Sequence, residues 1–78
     1  MNIIIVEWED SFSVAGWHDR DEMKLQNPSK CVSVGILINE TQEKLVVCPN
    51  LSHYNVADIM SIPRKCVTRI RQLKVSND

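Results

Sequence analysis

The sequence predicts a small, mainly β protein whose short strands curl into one barrel. Runs of β-branched residues alternate along the chain with polar segments that contain glycine, proline or asparagine. Gly35 lies inside the longest of these runs, where a glycine permits the sharp bend that a tightly curled sheet requires. Because 78 residues make one small domain, we expect residues 1–78 to form a single barrel domain.

Composition narrows the class of protein. Hydrophobic residues make up 44% of the chain, which is typical of a globular protein, and the formal net charge of −1 gives no global basic field. Three cysteines without a Cys-x-x-Cys pair predict reduced thiols rather than a disulfide framework or a zinc finger. The apolar runs are too short for a signal peptide or a membrane span, so we expect a cytoplasmic protein that does not enter membranes.

The first strand is predicted in the segment "NIIIVEW", which is rich in β-branched residues. Alternation places Ile4, Val6 and Trp8 on one face of this strand. Residues 10–30 show no sustained period, so we expect a long loop with one helical turn around residues 20–25. Long loops in compact domains are usually functional or disordered.

The second and third strands are predicted to form a hairpin over residues 31–48. In the second strand, "KCVSVGILIN", one face carries four aliphatic residues, namely Val32, Val34, Ile36 and Ile38. The third strand is "KLVVC", and the polar segment "NETQEK" supplies the turn. A fourth strand is predicted in "VADIMSI", which ends before Pro63.

The last segment, "SIPRKCVTRIRQLKV", has two interpretations. Apolar residues recur at helical spacing, which would give an α+β fold with a C-terminal helix at residues 62–73. The β-branched residues and Pro63 instead favour a strand, a short 3₁₀ turn near residues 63–66 and a final strand. We favour the second interpretation, in which three side chains point inward: Val67, Ile70 and Leu73.

This order of elements is similar to that of an SH3-like five-stranded barrel with a long first loop. Such a barrel pairs its first strand with its last strand, which removes exposed sheet edges. The pairing would place the acidic residues Glu7 and Glu9 beside the basic residues Arg69 and Arg71.

Four segments resemble a group of small phage and prophage proteins. They are "VEWEDS", "GW", "SVGILINE" and "IPRKCVTRIRQL", and the resemblance covers residues 4–73, with Arg64 where lysine is commoner. The resemblance implies a phage-linked, cytoplasmic protein with a single barrel. It implies no catalytic residue.

The polar residues predict no enzyme. Glu7 and Glu9 suit a solvated ion-pair surface, and Cys66 suits packing in the interior. His18 lies close in sequence to three carboxylates, but their spacing lacks the glycine and the final glutamate of an EF-hand. We therefore expect no catalytic residue, no metal-binding residue and no cofactor.

The aromatic residues give the best functional prediction. Trp17 follows Gly16 in the long loop, where it either plugs the open end of the barrel or is displayed to a partner. An aromatic side chain beside cations suits an acidic or proline-rich peptide, or a nucleotide. The predicted partner-binding residues are Trp17, His18, Arg20, Tyr54, Arg64 and Lys65.

These features predict a non-enzymatic binding module that engages or neutralises a bacterial host protein or a phage protein. The alternative is a protein that binds or sequesters nucleic acid or nucleotide through the basic C-terminal segment, residues 64–74. Association into a homo-oligomer is also open, because small barrels form dimers or rings by edge pairing.

Overall fold

The fold is described from a computed structural model that covers residues 1–76. The protein is mostly β, as predicted, with one five-stranded antiparallel sheet and one small two-stranded sheet. Within the described residues, no helix is long and apolar enough to cross a membrane. The elements in chain order are β1 (Ile3–Asp10), α1 (Arg20–Met23), β2 (Ser29–Glu40), β3 (Lys44–Cys48), β4 (Asn50–Leu51), β5 (Val56–Ala57), β6 (Met60–Pro63), a 3₁₀ turn (Arg64–Cys66) and β7 (Val67–Leu73).

The larger sheet has the strand order β6-β3-β2-β1-β7. The first strand pairs with the last strand, as predicted, from Ile3 opposite Leu73 to Trp8 opposite Val67. The sheet is nevertheless open, so the prediction of a closed barrel is not confirmed. A closed barrel would need the two edge strands, β6 and β7, to pair with each other. In this structure they are joined only in sequence, through the short 3₁₀ turn.

The core lies on one face of the larger sheet. Val6 and Leu45 are completely buried at its centre, and Ile4, Val47 and Ile62 complete the buried cluster. Five half-buried side chains pack against this cluster, namely Trp8, Leu37, Cys66, Val67 and Ile70. The core therefore takes side chains from every strand of the larger sheet and from the 3₁₀ turn.

Val32 and Val34 of β2 share a face, as predicted, but it is the outer face of the sheet. Val6 lies opposite Ser33 in the register, and Ile4 lies opposite Gly35. Directly opposite residues project to the same side of a sheet, so Ser33 and Gly35 face the core. The two valines consequently point away from it and are largely exposed.

Gly35 allows β2 and β3 to approach closely. A Cβ atom at this position would lie 3.0 Å from the carbonyl oxygen of Cys48 and 3.3 Å from the backbone carbon and nitrogen of the same residue. The register between the two strands then shifts between Leu37 and Asn39. The bend or bulge that Gly35 predicts in β2 is therefore present, but it lies a few residues further along the strand.

The helix predicted as an alternative at residues 62–73 is wrong. The segment forms the end of β6, the 3₁₀ turn and β7. The pairing of β1 with β7 shifts at Glu7 and Trp8, so Thr68 is an extra residue between Val67 and Ile70. The hydroxyl of Thr68 donates a hydrogen bond to the carbonyl oxygen of Glu7 at 3.0 Å. Because of this bulge, the inward side chains of Val67 and Ile70 lie three residues apart in the sequence. Apolar residues on one face of a helix have the same spacing, so the sequence of this strand resembles that of a helix.

Leu73 does not point inward, in contrast to the prediction. It lies opposite Ile3 on the outer face and is partly exposed. Among the predicted cross-strand ion pairs, Arg69 lies opposite Glu7 with its Nε atom 4.0 Å from the carboxylate. The prediction is wrong for Glu9 and Arg71, because Glu9 lies opposite Lys30 of β2 and Arg71 lies opposite Ile5.

We expect Leu45→Ala to lower the free energy of unfolding by about 2–5 kcal/mol, because it leaves a cavity at the centre of the core. The matched control is Leu51→Ala in the small sheet, where the side chain is half exposed, and the loss there should be about 1 kcal/mol or less. Urea denaturation followed by circular dichroism measures both changes. Equal losses would contradict this placement of the core.

Gly35→Ala should destabilise the protein by about 1–3 kcal/mol, because the new methyl group meets the backbone of Cys48 and not a movable side chain. The same denaturation experiment measures the loss. A variant as stable as the parent would show that β2 and β3 do not approach each other this closely.

Candidate functional site

The most prominent candidate site is the long connection between β1 and β2, residues 11–28, which we call the arm. β1 and β2 stay paired up to Asp10 opposite Ser29, so both ends of the arm begin from adjacent strands. Almost all of its residues are exposed. The molecule measures 53 × 28 × 26 Å, which is consistent with an arm that extends from the sheet.

Local contacts organise the arm. Asp19 caps the short helix α1, where its carboxylate accepts a hydrogen bond from the backbone N–H of Glu22 at 3.2 Å. This helix is the turn predicted around residues 20–25. Lys24 lies 3.4 Å from the carboxylate of Asp21, an exposed pair that contributes about 0–1 kcal/mol. The arm thus has a defined local shape without support from the core.

Trp17 is displayed at the surface of the arm. Its exposed fraction is 101%, so the alternative that it plugs the sheet is wrong. Gly16 precedes it with a φ of +89°, a backbone conformation that side-chain-bearing residues rarely adopt. Other large apolar side chains of the arm are also exposed, namely Phe12, Val14 and Leu25.

His18 and Arg20 accompany Trp17 on the arm. The Nε2 atom of His18 lies 2.9 Å from the carbonyl oxygen of Ala15, so the ring closes the turn that presents the tryptophan. Arg20 is the first residue of α1 and is exposed. Three of the predicted binding residues therefore belong to one short exposed segment.

Arg64 and Lys65 lie on the 3₁₀ turn, which is tied to the turn between β2 and β3. The Nη1 atom of Arg64 donates a hydrogen bond to the carboxylate of Glu40 at 2.7 Å. The backbone N–H of Arg64 donates to the carbonyl oxygen of Glu43 at 2.8 Å. Arg64 is half-buried and Lys65 is exposed, so the second of these cations is the more accessible.

Tyr54 lies elsewhere, in the hairpin formed by β4 and β5. Its ring packs edge to face on His53 with the centroids 4.4 Å apart, and it is 88% exposed. The hairpin leaves β3 after Cys48, whereas Arg64 lies beyond the opposite end of that strand, where Lys44 is opposite Pro63. The structure therefore does not bring Tyr54 and Arg64 together.

The predicted binding residues fall in three separate places: the arm, the 3₁₀ turn and the small hairpin. No hydrogen bond or ion pair of residues 1–76 connects the arm with the 3₁₀ turn or with the hairpin. The arm is consequently the part of the predicted surface that can act independently.

Ser33 has a structural role inside the sheet. Its hydroxyl accepts a hydrogen bond from the indole N–H of Trp8 at 3.0 Å and approaches the sulfur of Met60 at 3.6 Å. The indole N–H of Trp8 thus has a hydrogen-bond acceptor where the ring meets the core, and this bond fixes the orientation of the ring. The predicted placement of Trp8 with Ile4 and Val6 on the core face is confirmed.

A shallow cavity of about 330 Å³ lies where β1, β2 and β7 meet near the start of the arm. Its lining combines apolar and charged groups, namely Glu7, Trp8, Glu9, Lys30, Cys31, Val32 and Thr68. In the part of the chain that the structure describes, no group of three or more histidine, cysteine or carboxylate side chains is arranged to hold a metal ion.

An apolar outer face is the surface that sequence reasoning missed. It is formed by Ile3, Ile5, Val32, Val34, Ile36 and Leu73. The signal was present in the sequence, because the run "IIIV" is apolar at consecutive positions, whereas a strand in a sheet that packs on one face buries only alternate residues.

No protein-family model matches this chain, and no curated protein and no solved structure was found to match it. The function must therefore be inferred from the surfaces of the molecule itself.

The two tryptophans should differ clearly in fluorescence. In Trp8→Phe, which leaves Trp17, we expect emission typical of an indole in water and efficient quenching by acrylamide. In Trp17→Phe, which leaves Trp8, we expect blue-shifted emission and weaker quenching, because that indole is half-buried and hydrogen-bonded to Ser33. Equal quenching of the two variants would contradict the exposed position of Trp17.

Proposed function

We propose that this protein is a non-enzymatic binding module that captures a protein partner through the arm, with Trp17 as the central contact. The observation that carries the proposal is the complete exposure of Trp17 on a segment whose hydrogen bonds are local. A tryptophan in this position contributes nothing to the core. Its burial by a partner can contribute about 2 kcal/mol or more to binding, as interface tryptophans often do.

The surroundings of Trp17 favour a partner that combines apolar and acidic groups. Phe12 and Val14 extend the apolar contact area along the arm. His18 directly follows Trp17 in the chain, and the exposed Arg20 begins α1 three residues after it. An aromatic group next to cations suits an acidic or proline-rich segment of a protein.

We propose further that the architecture is SH3-like. The pairing of β1 with β7, the hairpin of β2 and β3, and the 3₁₀ turn before the last strand support this assignment. In such folds the first long loop and the 3₁₀ segment contribute to one binding surface. Arg64 and Lys65 would then form an outer part of the surface, whereas Tyr54 lies too far along β3 to belong to it.

The proposed setting is the cytoplasm of a bacterium that carries the phage or prophage. There the module would act by occupying a host protein and not by chemistry. The resemblance of "VEWEDS", "SVGILINE" and "IPRKCVTRIRQL" to phage and prophage proteins supports this setting.

Nucleic acid is the less favoured partner. Two of the cations in the C-terminal segment have carboxylates beside them, since Arg64 pairs with Glu40 and Arg69 lies near Glu7. Binding of nucleic acid depends on the number of cations that reach phosphates. The neutralised pairs leave a small patch for that purpose.

Trp17→Ala should reduce capture of the partner from a bacterial lysate at least tenfold, as measured by quantitative mass spectrometry on immobilised protein. The thermal midpoint should stay within about 2 °C of the parent value, because the indole is fully exposed and its removal leaves no cavity.

The matched control is Val75→Ala, which removes apolar surface from the exposed segment after β7 and should leave capture unchanged. Tyr54→Ala should also leave capture unchanged, because the small hairpin lies apart from Arg64. Normal capture by Trp17→Ala would show that the arm is not the binding surface. Capture that disappears after nuclease treatment would favour nucleic acid instead.

A further inference from the structure

The last strand, β7, is an edge of the larger sheet. It pairs with β1 on one side, from Leu73 opposite Ile3 to Val67 opposite Trp8, and among residues 1–76 no strand pairs with its other side. In an antiparallel pair, alternate residues direct their N–H and C=O groups away from the neighbouring strand. The far side of β7 therefore carries a row of main-chain groups that can pair with an additional strand.

The core is incomplete beside this edge. Val67 and Ile70 of β7 pack against the buried cluster, yet both side chains remain half-buried. At the centre of the sheet, by contrast, Val6 and Leu45 are completely buried. A further strand beside β7 would cover the two half-buried side chains if it placed apolar residues on the core face of the sheet.

The outer face of β7 is basic. Arg69 and Arg71 lie two residues apart on the face away from the core, β7 contains no acidic residue, and the chain continues with Lys74. Within residues 1–76, the carboxylate that comes within 4.0 Å of either guanidinium is that of Glu7, and the side chain of Arg69 beside it is still 63% exposed. An added strand would therefore meet two cations at the spacing of alternate strand residues.

We propose that β7 binds an extended acidic segment of a partner protein as an additional strand of the sheet. The segment alternates apolar and acidic residues. Its acidic residues lie beside Arg69 and Arg71 on the outer face, where opposite charges on neighbouring strands are stabilising. Its apolar residues cover Val67 and Ile70 on the core face. The main-chain hydrogen bonds supply affinity and the alternating side chains supply specificity, as in other cases of strand addition.

The charges of β7 select against a second copy of the same strand. Antiparallel pairing of two β7 strands about Ile70 would set Arg69 of one copy opposite Arg71 of the other, and directly opposed like charges are destabilising. Charged side chains on an edge strand protect a sheet against self-association in this way. The same two arginines attract an acidic segment, so one feature both excludes the wrong partner and favours the right one.

The other edge strand, β6, is a poorer site for such a segment. It has four residues, none of them charged, and it ends at Pro63, which has no backbone N–H to donate. β7 has seven residues and contains no proline. The longer, basic edge is consequently the one that fits an acidic strand.

The probe for this site is a synthetic peptide of seven residues, the length of β7, that alternates valine and glutamate and carries fluorescein. Fluorescence anisotropy with the full chain should show saturable binding with a dissociation constant below about 1 mM. A peptide of the same composition with its glutamates consecutive should bind at least tenfold more weakly, because it cannot place acidic and apolar residues on opposite faces of a strand. Absence of binding by the alternating peptide at about 2 mM would overturn the proposal.

Two N-methylated forms of the alternating peptide test strand addition directly. In an extended peptide, the amides of the valines point to one edge and those of the glutamates to the other. Methylation of the amides that face β7 removes hydrogen bonds to the sheet and should weaken binding at least tenfold. Methylation of the other set should change binding less than threefold. Equal binding of the two forms would overturn the proposal, because attraction between charges alone does not distinguish them.

Arg71→Glu should weaken binding of the alternating peptide at least tenfold, because a carboxylate then lies beside the bound glutamates. The matched control is Lys44→Glu, the same change of charge at an exposed residue of β3, and it should keep the dissociation constant within about twofold of the parent value. Circular dichroism checks that both variants keep the sheet. Unchanged binding by Arg71→Glu, or an equal loss in Lys44→Glu, would overturn the proposal.

This site is independent of the proposed function of the arm. Trp17→Ala should leave the dissociation constant of the alternating peptide unchanged, because β7 lies outside the arm. Loss of peptide binding in Trp17→Ala would place the peptide on the arm and overturn the assignment to β7. Normal peptide binding together with unchanged partner capture by Trp17→Ala would instead contradict the proposed function alone.

Discussion

The fold depends on the double pairing of β1, which is bonded to β2 along its whole length and to β7 along most of it. This strand fixes the positions of both neighbours, and the alternation of its side chains decides what is buried. Ile4 and Val6 enter the core, so Ile3 and Ile5 must point outward although they are equally apolar. One strand thus creates the core and the apolar outer face, and no shift of register could bury both sets.

Much of the sheet could be predicted from the sequence, because β-branched runs and turn residues act locally. The pairing of the first strand with the last followed from the order of the elements. The face of β2 was harder to assign, because Val32 and Val34 are more apolar than Ser33 and Gly35. The register with β1 decides this assignment. Likewise, the bulge at Thr68 depends on Glu7 and Trp8 of a distant strand, and a local pattern cannot report it.

Part of the candidate site could also be predicted, because it depends on local sequence patterns. The arm could be recognised because residues 11–28 lack any sustained period that would let them pack, and Trp17 lies in this segment directly after Gly16. The separation of Tyr54 from Arg64 could not be predicted, because it depends on the tertiary position of each residue relative to β3. Tyr54 lies beyond one end of that strand and Arg64 beyond the other. Closure of the sheet is also a tertiary property, set by how far it curls.

The attachment of the arm has a consequence for how such a protein can diversify. Its two ends start from directly paired residues, Asp10 and Ser29, which lie about 5 Å apart at their Cα atoms. The core therefore needs only that these ends stay together. Doubling the length of a flexible loop costs only about 0.6 kcal/mol in closure entropy. The arm can consequently exchange its sequence and length while the sheet is inherited unchanged, so that one scaffold can acquire new binding specificities by replacement of a single segment.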